Sequence, residues 1–200
     1  MDGSFFPPPS PEPEPEPPAQ VSPPWLQPPA DEYPARLLVR EFLAQTDGTA
    51  LAVSHVDVYS TGLLIKIDWE LRRLDESRAD WQLATGMGGF GLDSGDSESE
   101  RRFGLAFADG SVVTTVDRRR TRVRFDEEPT GWSLMDHGGG GGGGDRRYSS
   151  SSRLWLWPLP PAGPIELVAE WKARGINEVR LVVDGSALRD MVTNVRSLWP

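Results

Sequence analysis

The chain has 200 residues, a formal net charge of −9 and no cysteine. The lack of thiols excludes disulfides, thiolate metal sites and cysteine nucleophiles. The sequence has no run of about 18 apolar residues that would span a membrane. Its N-terminus has no basic region followed by an apolar stretch, so no secretory signal is predicted and we expect a soluble, cytoplasmic protein.

Residues 1–34 differ in composition from the rest of the chain. They hold 13 of the 19 prolines and six acidic residues, with no lysine or arginine. Because proline lacks the amide donor that a helix needs, we predict a disordered, acidic, extended tail that acts as a tether. The alternative is a ligand for a proline-recognising domain or a basic partner. Trp25 and Leu26 interrupt the tail and could dock onto the domain or onto a partner.

Charge argues against one class of function. Subtracting the −6 of the tail from the −9 of the whole chain leaves −3 for residues 35–200. A nearly balanced domain is not expected to bind nucleic acid through bulk charge.

Residues 35–200 are predicted to form one β-rich domain. The clearest strand is LLIKIDWELR, where Leu63, Ile65, Ile67, Trp69 and Leu71 alternate with mostly polar residues. This period of two indicates one buried face and one face in water. The preceding LAVSHVDVYSTG is its predicted partner strand, with the turn at residues 60–62.

Three further segments carry strand patterns. RFGLAFADGSVVTTV predicts a hairpin in which Asp109 and Gly110 supply a two-residue turn of positive φ. In IELVAEW, the side chains of Ile165, Leu167, Ala169 and Trp171 share one side, and EVRLVV repeats the alternation.

One helix is predicted, over residues 186–199. Ser186 is its expected N-cap, and the apolar residues that follow at helical spacing are Leu188, Met191, Val192, Val195 and Trp199. Seven to nine strands with one terminal helix indicate an all-β fold, an antiparallel β-sandwich. Residues 84–101 and 136–152 are rich in glycine, serine and charge, and we predict flexible loops there.

The glycine run at residues 138–144 invites comparison with a phosphate-binding loop. Such a loop needs a following lysine and a helix N-terminus, whereas serines and a strand pattern follow here. We therefore predict a spacer. GMGGFG at residues 86–91 matches a dinucleotide-binding pattern but lacks the flanking strand and helix.

Two sets of polar residues are candidates for chemistry. Arg118, Arg120, Arg122 and Arg124 alternate and would form a stripe for phosphate, carboxylate or an acidic partner, or else a solvated face. His55 and Asp57 lie two residues apart and would point the same way. They suggest either a structural pair or, with a serine such as Ser54 or Ser60, a small hydrolase. We predict no catalytic residue, metal site or cofactor.

Trp155 and Trp157 lie two residues apart on one face of LWLW. If exposed, they would form a platform for a sugar ring or a proline-rich segment. If buried, they are expected on an inner face opposite Leu154 and Leu156, in a strand covered on both sides.

The segments FADGSVVTTVD, LMDHGGGGGGGDRRY and LWLWPLPPAGPIELVAEWKARGINEVRLVVDG resemble those of a group of small actinobacterial proteins with no known function. The resemblance covers roughly residues 36–200 and implies a compact β-rich fold, with no activity or cofactor to carry over. The sequence thus predicts a non-catalytic interaction or accessory protein with an unknown protein partner. The alternatives are a carbohydrate- or small-ligand-binding module and a small hydrolase.

Overall fold

A computed structural model describes residues 22–85, 100–117 and 127–200. The strands in these residues are β1 (Glu32–Tyr33), β2 (Ala35–Gln45), β3 (Thr49–Val58), β4 (Leu63–Arg72), β5 (Arg102–Phe107), β6 (Val112–Thr114), β7 (Ser133–Asp136), β8 (Gly142–Gly143), β9 (Arg147–Trp157), β10 (Pro164–Trp171), β11 (Ile176–Asp184) and β12 (Arg196–Ser197). The number exceeds the predicted seven to nine because several strands have only two or three residues.

The strands form two main antiparallel sheets. One has six strands in the order β2-β3-β4-β9-β7, with β8 also paired to β9, and the other has the order β11-β10-β5-β6. Strand β11 lies next to β2, and β6 lies next to β7, so the edges of the two sheets coincide. The predicted all-β antiparallel sandwich is confirmed. A short ribbon of β1 and β12 joins the two ends of the described chain.

The core is formed by the inward faces of the two sheets. All five apolar residues predicted on one face of β4 are buried, and Ile165, Leu167, Ala169 and Trp171 of β10 are buried as well. Burying a side chain of this size contributes about 1.5–3 kcal/mol. Trp69 and Trp171 meet edge to face, with ring centroids 5.7 Å apart.

The residues of strand β3 that face the core switch from odd to even positions partway along the strand. Leu51 and Val53 are buried in its first half, and Val56 and Val58 in its second half, because the register with β4 shifts between Val53 and His55. Ser54 is the extra residue of this bulge. Edge strand β2 has its own register shift beside it, where Arg40 has φ 58°. Bulges of this kind interrupt an edge that would otherwise offer itself to another chain.

The β5–β6 hairpin is present, but its turn differs from the prediction. Of Asp109 and Gly110, only Gly110 has positive φ, at 83°. The Gly110 amide donates to the Phe107 carbonyl, and Phe107 donates to Ser111, which describes a longer loop with one left-handed residue. The Asp109 carboxylate accepts from the Ser111 amide at 2.9 Å.

A helix absent from the sequence prediction, α1, spans Arg78–Thr85. Ser77 begins it: the Ser77 hydroxyl accepts from the Asp80 amide at 3.1 Å and donates to the Asp80 carboxylate at 2.7 Å. Ser77 is therefore the N-cap of the helix, and its hydroxyl also binds the Asp80 side chain. The helix buries Trp81 completely, and the Trp81 indole donates to the Gly144 carbonyl at 3.0 Å.

The C-terminal helix is shorter than the predicted 186–199. Helix α2 spans Gly185–Asp190, and a 3-10 turn at Met191–Asn194 follows it. The N-cap is Asp184 rather than Ser186, and its carboxylate accepts from the amides of Ser186 and Ala187. The β-branched and asparagine residues at 192–195 are weak helix formers, which fits the early end of the helix. Trp199 lies beyond it and is exposed.

Aromatic rings and arginines close one end of the sandwich. The Arg101 guanidinium lies 4.2 Å from the Trp69 ring centroid, and Arg174 lies near the rings of Trp81 and Trp171. Arg174 also donates to the Glu76 carboxylate at 2.8 Å, with both side chains mostly buried. A cation over an aromatic face contributes about 0.5–2 kcal/mol, so this end is held by several modest interactions.

This end of the sandwich predicts a dependence of stability on pH. Burial alone would raise the pKa of Glu76, but hydrogen bonds from Arg174 and from the Leu74 amide outweigh it and lower the pKa. A carboxyl whose pKa is lowered by folding contributes stability above its unfolded pKa, and this contribution is lost as pH falls through the folded value. In urea titrations, Glu76→Gln should therefore lower the free energy of unfolding at pH 7. The size of this decrease should shrink progressively as the pH falls below about 4. A cost that stays constant down to pH of about 2 would contradict this assignment. Glu178→Gln, at an exposed ion pair, is the control.

Candidate functional site

The N-terminal segment lies on the outer face of the six-stranded sheet. Residues 1–21 are outside the described part, but residues 22–34, which belong to the predicted tail, have a defined position on the domain. Residues 22–34 therefore pack against the domain rather than extend away from it. Residues 32–33 pair with β12, and the Leu26 amide donates to the Pro23 carbonyl in a turn.

Trp155 lies under this segment. In the register of β4 and β9, Leu154 is opposite Ile65, which faces the core, so Trp155 opposite Leu64 points to the outer face. Trp155 nevertheless has 0% of its surface exposed. Its indole donates to the Pro24 carbonyl at 3.0 Å, and its ring meets Tyr59 edge-on at 5.7 Å.

Trp157 and His137 complete what we call the aromatic surface, defined as Tyr59, Trp155, Trp157 and His137. Trp25 meets the ring of Trp157 at 6.1 Å with an interplanar angle of 66°. His137 lies beside the backbone of Leu26. Its pKa is lowered, first by burial and then by Arg153, although Asp136 and the Leu26 backbone oppose the shift. Successive positions of one short segment thus lie against Trp155, Trp157 and His137.

The strand that carries the two tryptophans is covered on both sides, as predicted for the case in which they are buried. The prediction that the tryptophans lie on the inner face was wrong. The inner face of β9 carries Leu154 and Leu156, and the indoles lie on the opposite face beneath the tail. Sequence patterning could not separate these cases, because both faces of LWLW are apolar. Trp25 and Leu26, the apolar residues that interrupt the tail, were the signal for this contact.

Gly62 permits the close approach that this surface needs. A Cβ at residue 62 would lie 2.3 Å from the Leu156 carbonyl oxygen and 2.7 Å from the Trp155 ring. The turn between β3 and β4 therefore sits directly against the buried indole, and only glycine fits there without a shift of backbone.

The glycine run forms an edge of the sheet. Gly142 and Gly143 pair with Ser149 and Tyr148 of β9, in the range where a loop was predicted at 136–152. A Cβ at residue 139, 141 or 143 would come within 3.0 Å of β9, whereas residues 140, 142 and 144 face open space. The glycine run and the serine run are therefore complementary, because alternate glycines remove the side chains that would clash with β9.

Side chains bind the carbonyls of the even-numbered glycines. Arg153 donates to Gly138 at 3.2 Å, Ser150 to Gly140 at 3.4 Å, Ser149 to Gly142 at 3.5 Å and Trp81 to Gly144 at 3.0 Å. The outer side of the run borders an open groove of about 530 Å³. Its one lysine, Lys66, lies 3.5 Å from Asp68, and Glu70 adds a second carboxylate, so the groove does not suit a phosphate.

The predicted pair of His55 and Asp57 lies on the same outer face. Arg36 binds the Asp57 carboxylate with two hydrogen bonds, at 2.6 and 2.8 Å, and His55 Nε2 lies 3.6 Å from the same carboxylate. Ser54 Oγ lies 3.2 Å from His55 Nδ1 and 3.3 Å from the Lys66 carbonyl. A serine hydroxyl thus lies within reach of the imidazole, as the hydrolase alternative requires.

The contacts of this cluster favour a structural role over a catalytic one. Asp57 is committed to Arg36, and the single proton of the Ser54 hydroxyl can go either to His55 or to the Lys66 carbonyl. The pKa of His55 is lowered, chiefly by burial and partly by Arg36 and Lys66, while Asp57 raises it. The cluster therefore links β2, β3 and β4 through polar contacts beside the aromatic surface.

Other predicted sites lie outside the described residues. The stripe of Arg118, Arg120, Arg122 and Arg124 does, and so does the GMGGFG pattern. Within the described ranges, no group of three or more histidine or acidic side chains is arranged to hold a metal ion. The helices in those ranges are too short or too polar to cross a bilayer.

Comparisons with protein-family models, with curated proteins and with solved structures found no match to this chain.

Proposed function

We propose that the protein is a non-catalytic interaction module that binds proline-rich segments of proteins through its aromatic surface. The observation that supports this is the contact of residues 24–26 with the surface, in particular the bond from the Trp155 indole to the Pro24 carbonyl. Surfaces lined by aromatic side chains, with an indole donor aimed at a backbone carbonyl, suit the recognition of proline-rich segments.

The proposal includes a protein partner and a cytoplasmic location, and a chain without cysteine is compatible with a reducing compartment. The carbohydrate alternative fits less well. The segment that contacts this surface contains proline, and no contact of the described residues points to a sugar.

The test is binding of a labelled peptide of residues 20–30 to the full-length Trp25→Ala variant, measured by fluorescence anisotropy. Without Trp25 the chain's own segment should leave the surface, and the peptide should bind with a Kd in the micromolar range, about −8 kcal/mol. Adding Trp155→Phe, which keeps an aromatic ring but cannot donate to a carbonyl, should weaken binding about tenfold. A peptide with alanine in place of tryptophan is the matched control. Equal binding by both peptides, or no binding at millimolar peptide, would overturn the proposal.

A further inference from the structure

We infer that residues 22–27 occupy the binding site for a partner segment on the aromatic surface. Because the partner segment would make the same contacts, residues 22–27 compete with it for this site. This partner would carry two prolines followed by an aromatic and an aliphatic residue. The inference rests on the proposed function and adds to it the kind of partner and the regulation of access.

Consecutive residues of the segment contact different side chains of the aromatic surface. The Pro24 carbonyl accepts from the Trp155 indole, the Trp25 ring meets Trp157, and the Leu26 backbone lies beside His137. Because these contacts follow one another in chain order across the surface, the segment crosses it in one direction. The turn from the Pro23 carbonyl to the Leu26 amide brings the ends of the motif together. A partner must therefore present a compact turn rather than a fully extended strand.

A second set of contacts anchors the chain just beyond this segment. The Glu32 carboxylate accepts from the Ser60 amide at 2.9 Å and also from the Ser60 hydroxyl, and the Leu198 amide donates to the Asp31 carbonyl at 2.7 Å. Pairing of β1 with β12 fixes residues 32–33. Only residues 28–30 lie between the anchor and the segment on the aromatic surface.

A tether this short gives the segment a high effective concentration at the surface, in the millimolar range for short flexible linkers. A free segment with the same contacts must displace it. The apparent affinity of the free segment is therefore its intrinsic affinity multiplied by the fraction of molecules whose surface is open. The described fold therefore contains both a binding surface and a competitor for it.

The experiment compares three full-length proteins for binding of the peptide of residues 20–30: the native chain, Trp25→Ala, and a chain with a flexible Gly-Ser linker of about 20 residues inserted after Gln27. Because the effective concentration falls with about the −3/2 power of tether length, the longer tether should lower the effective concentration of residues 22–27 at the surface roughly tenfold. We expect the native chain to bind most weakly, the insertion variant to bind up to about tenfold more tightly, and Trp25→Ala to bind most tightly. Trp199→Ala, which removes an exposed tryptophan elsewhere, should bind as the native chain does.

The outcomes separate the two proposals. If the native chain and Trp25→Ala bind the peptide equally well, the competition is disproved and the interaction surface stands. If none of the three proteins binds, the proposed function itself fails. If replacing the tryptophan or the two prolines of the peptide by alanine leaves the affinity for Trp25→Ala unchanged, the assigned partner chemistry is wrong.

Discussion

Trp81→Ala is expected to lower the free energy of unfolding by about 3–5 kcal/mol, because it empties the largest fully buried site of α1. It also removes the indole that donates to the Gly144 carbonyl and the ring that faces Arg174. The glycine edge of the sheet and the arginine end of the sandwich should both loosen.

The measurement is urea unfolding followed by far-UV circular dichroism, which does not depend on the deleted fluorophore. The matched control is Trp199→Ala, at an exposed tryptophan, and it should change stability by no more than about 0.5 kcal/mol. Similar small effects for both variants would show that α1 does not pack as described.

Gly143→Ala is expected to destabilise the protein by about 1–3 kcal/mol, since its Cβ would lie 2.2 Å from the Arg147 carbonyl oxygen. Its neighbour Gly142 faces open space and has no positive φ, so Gly142→Ala should be neutral or stabilise by up to about 1 kcal/mol through the unfolded chain.

The same contrast should hold between Gly139→Ala, which is crowded by Ser151, and Gly140→Ala, which is not. Thermal unfolding of the four variants measures it. A free spacer would tolerate all four alanines equally, and that result would contradict the packing of the glycine run against β9.

The sequence predicted the fold where one face of a strand is buried and the other is wet. The alternation of Leu63, Ile65, Ile67, Trp69 and Leu71 predicted β4 and its inward face, and the apolar set of β10 did the same for the opposing sheet. A shift of one residue would expose every one of these side chains, so the pattern determines which face of each strand is buried.

A local signal of another kind marks the start of α1. Ser77 is a favourable N-cap residue, although the helix has too few apolar residues to show a helical period. At the other end of the chain, an apolar spacing that suits a helix extends past the point where weak helix formers end it.

The candidate site could be predicted only in part. Trp155 and Trp157 were recognised as a possible aromatic surface, but its occupant depends on a contact between Pro24 and Trp155 that no periodicity encodes. Such a contact joins a segment without regular structure to the outer face of a sheet. The glycine run posed the same difficulty, because its pairing depends on the small serines of the next strand.

Hydrogen exchange of the Trp155 indole proton, followed by NMR in the full-length chain and assigned with Trp155→Phe, tests the central contact most directly. This proton is expected to exchange at least about a hundredfold more slowly than the indole proton of exposed Trp199, and Trp25→Ala should remove most of the difference. Exchange of the Trp155 proton as fast as that of Trp199 in the native chain would contradict the docking of residues 22–27 on the aromatic surface.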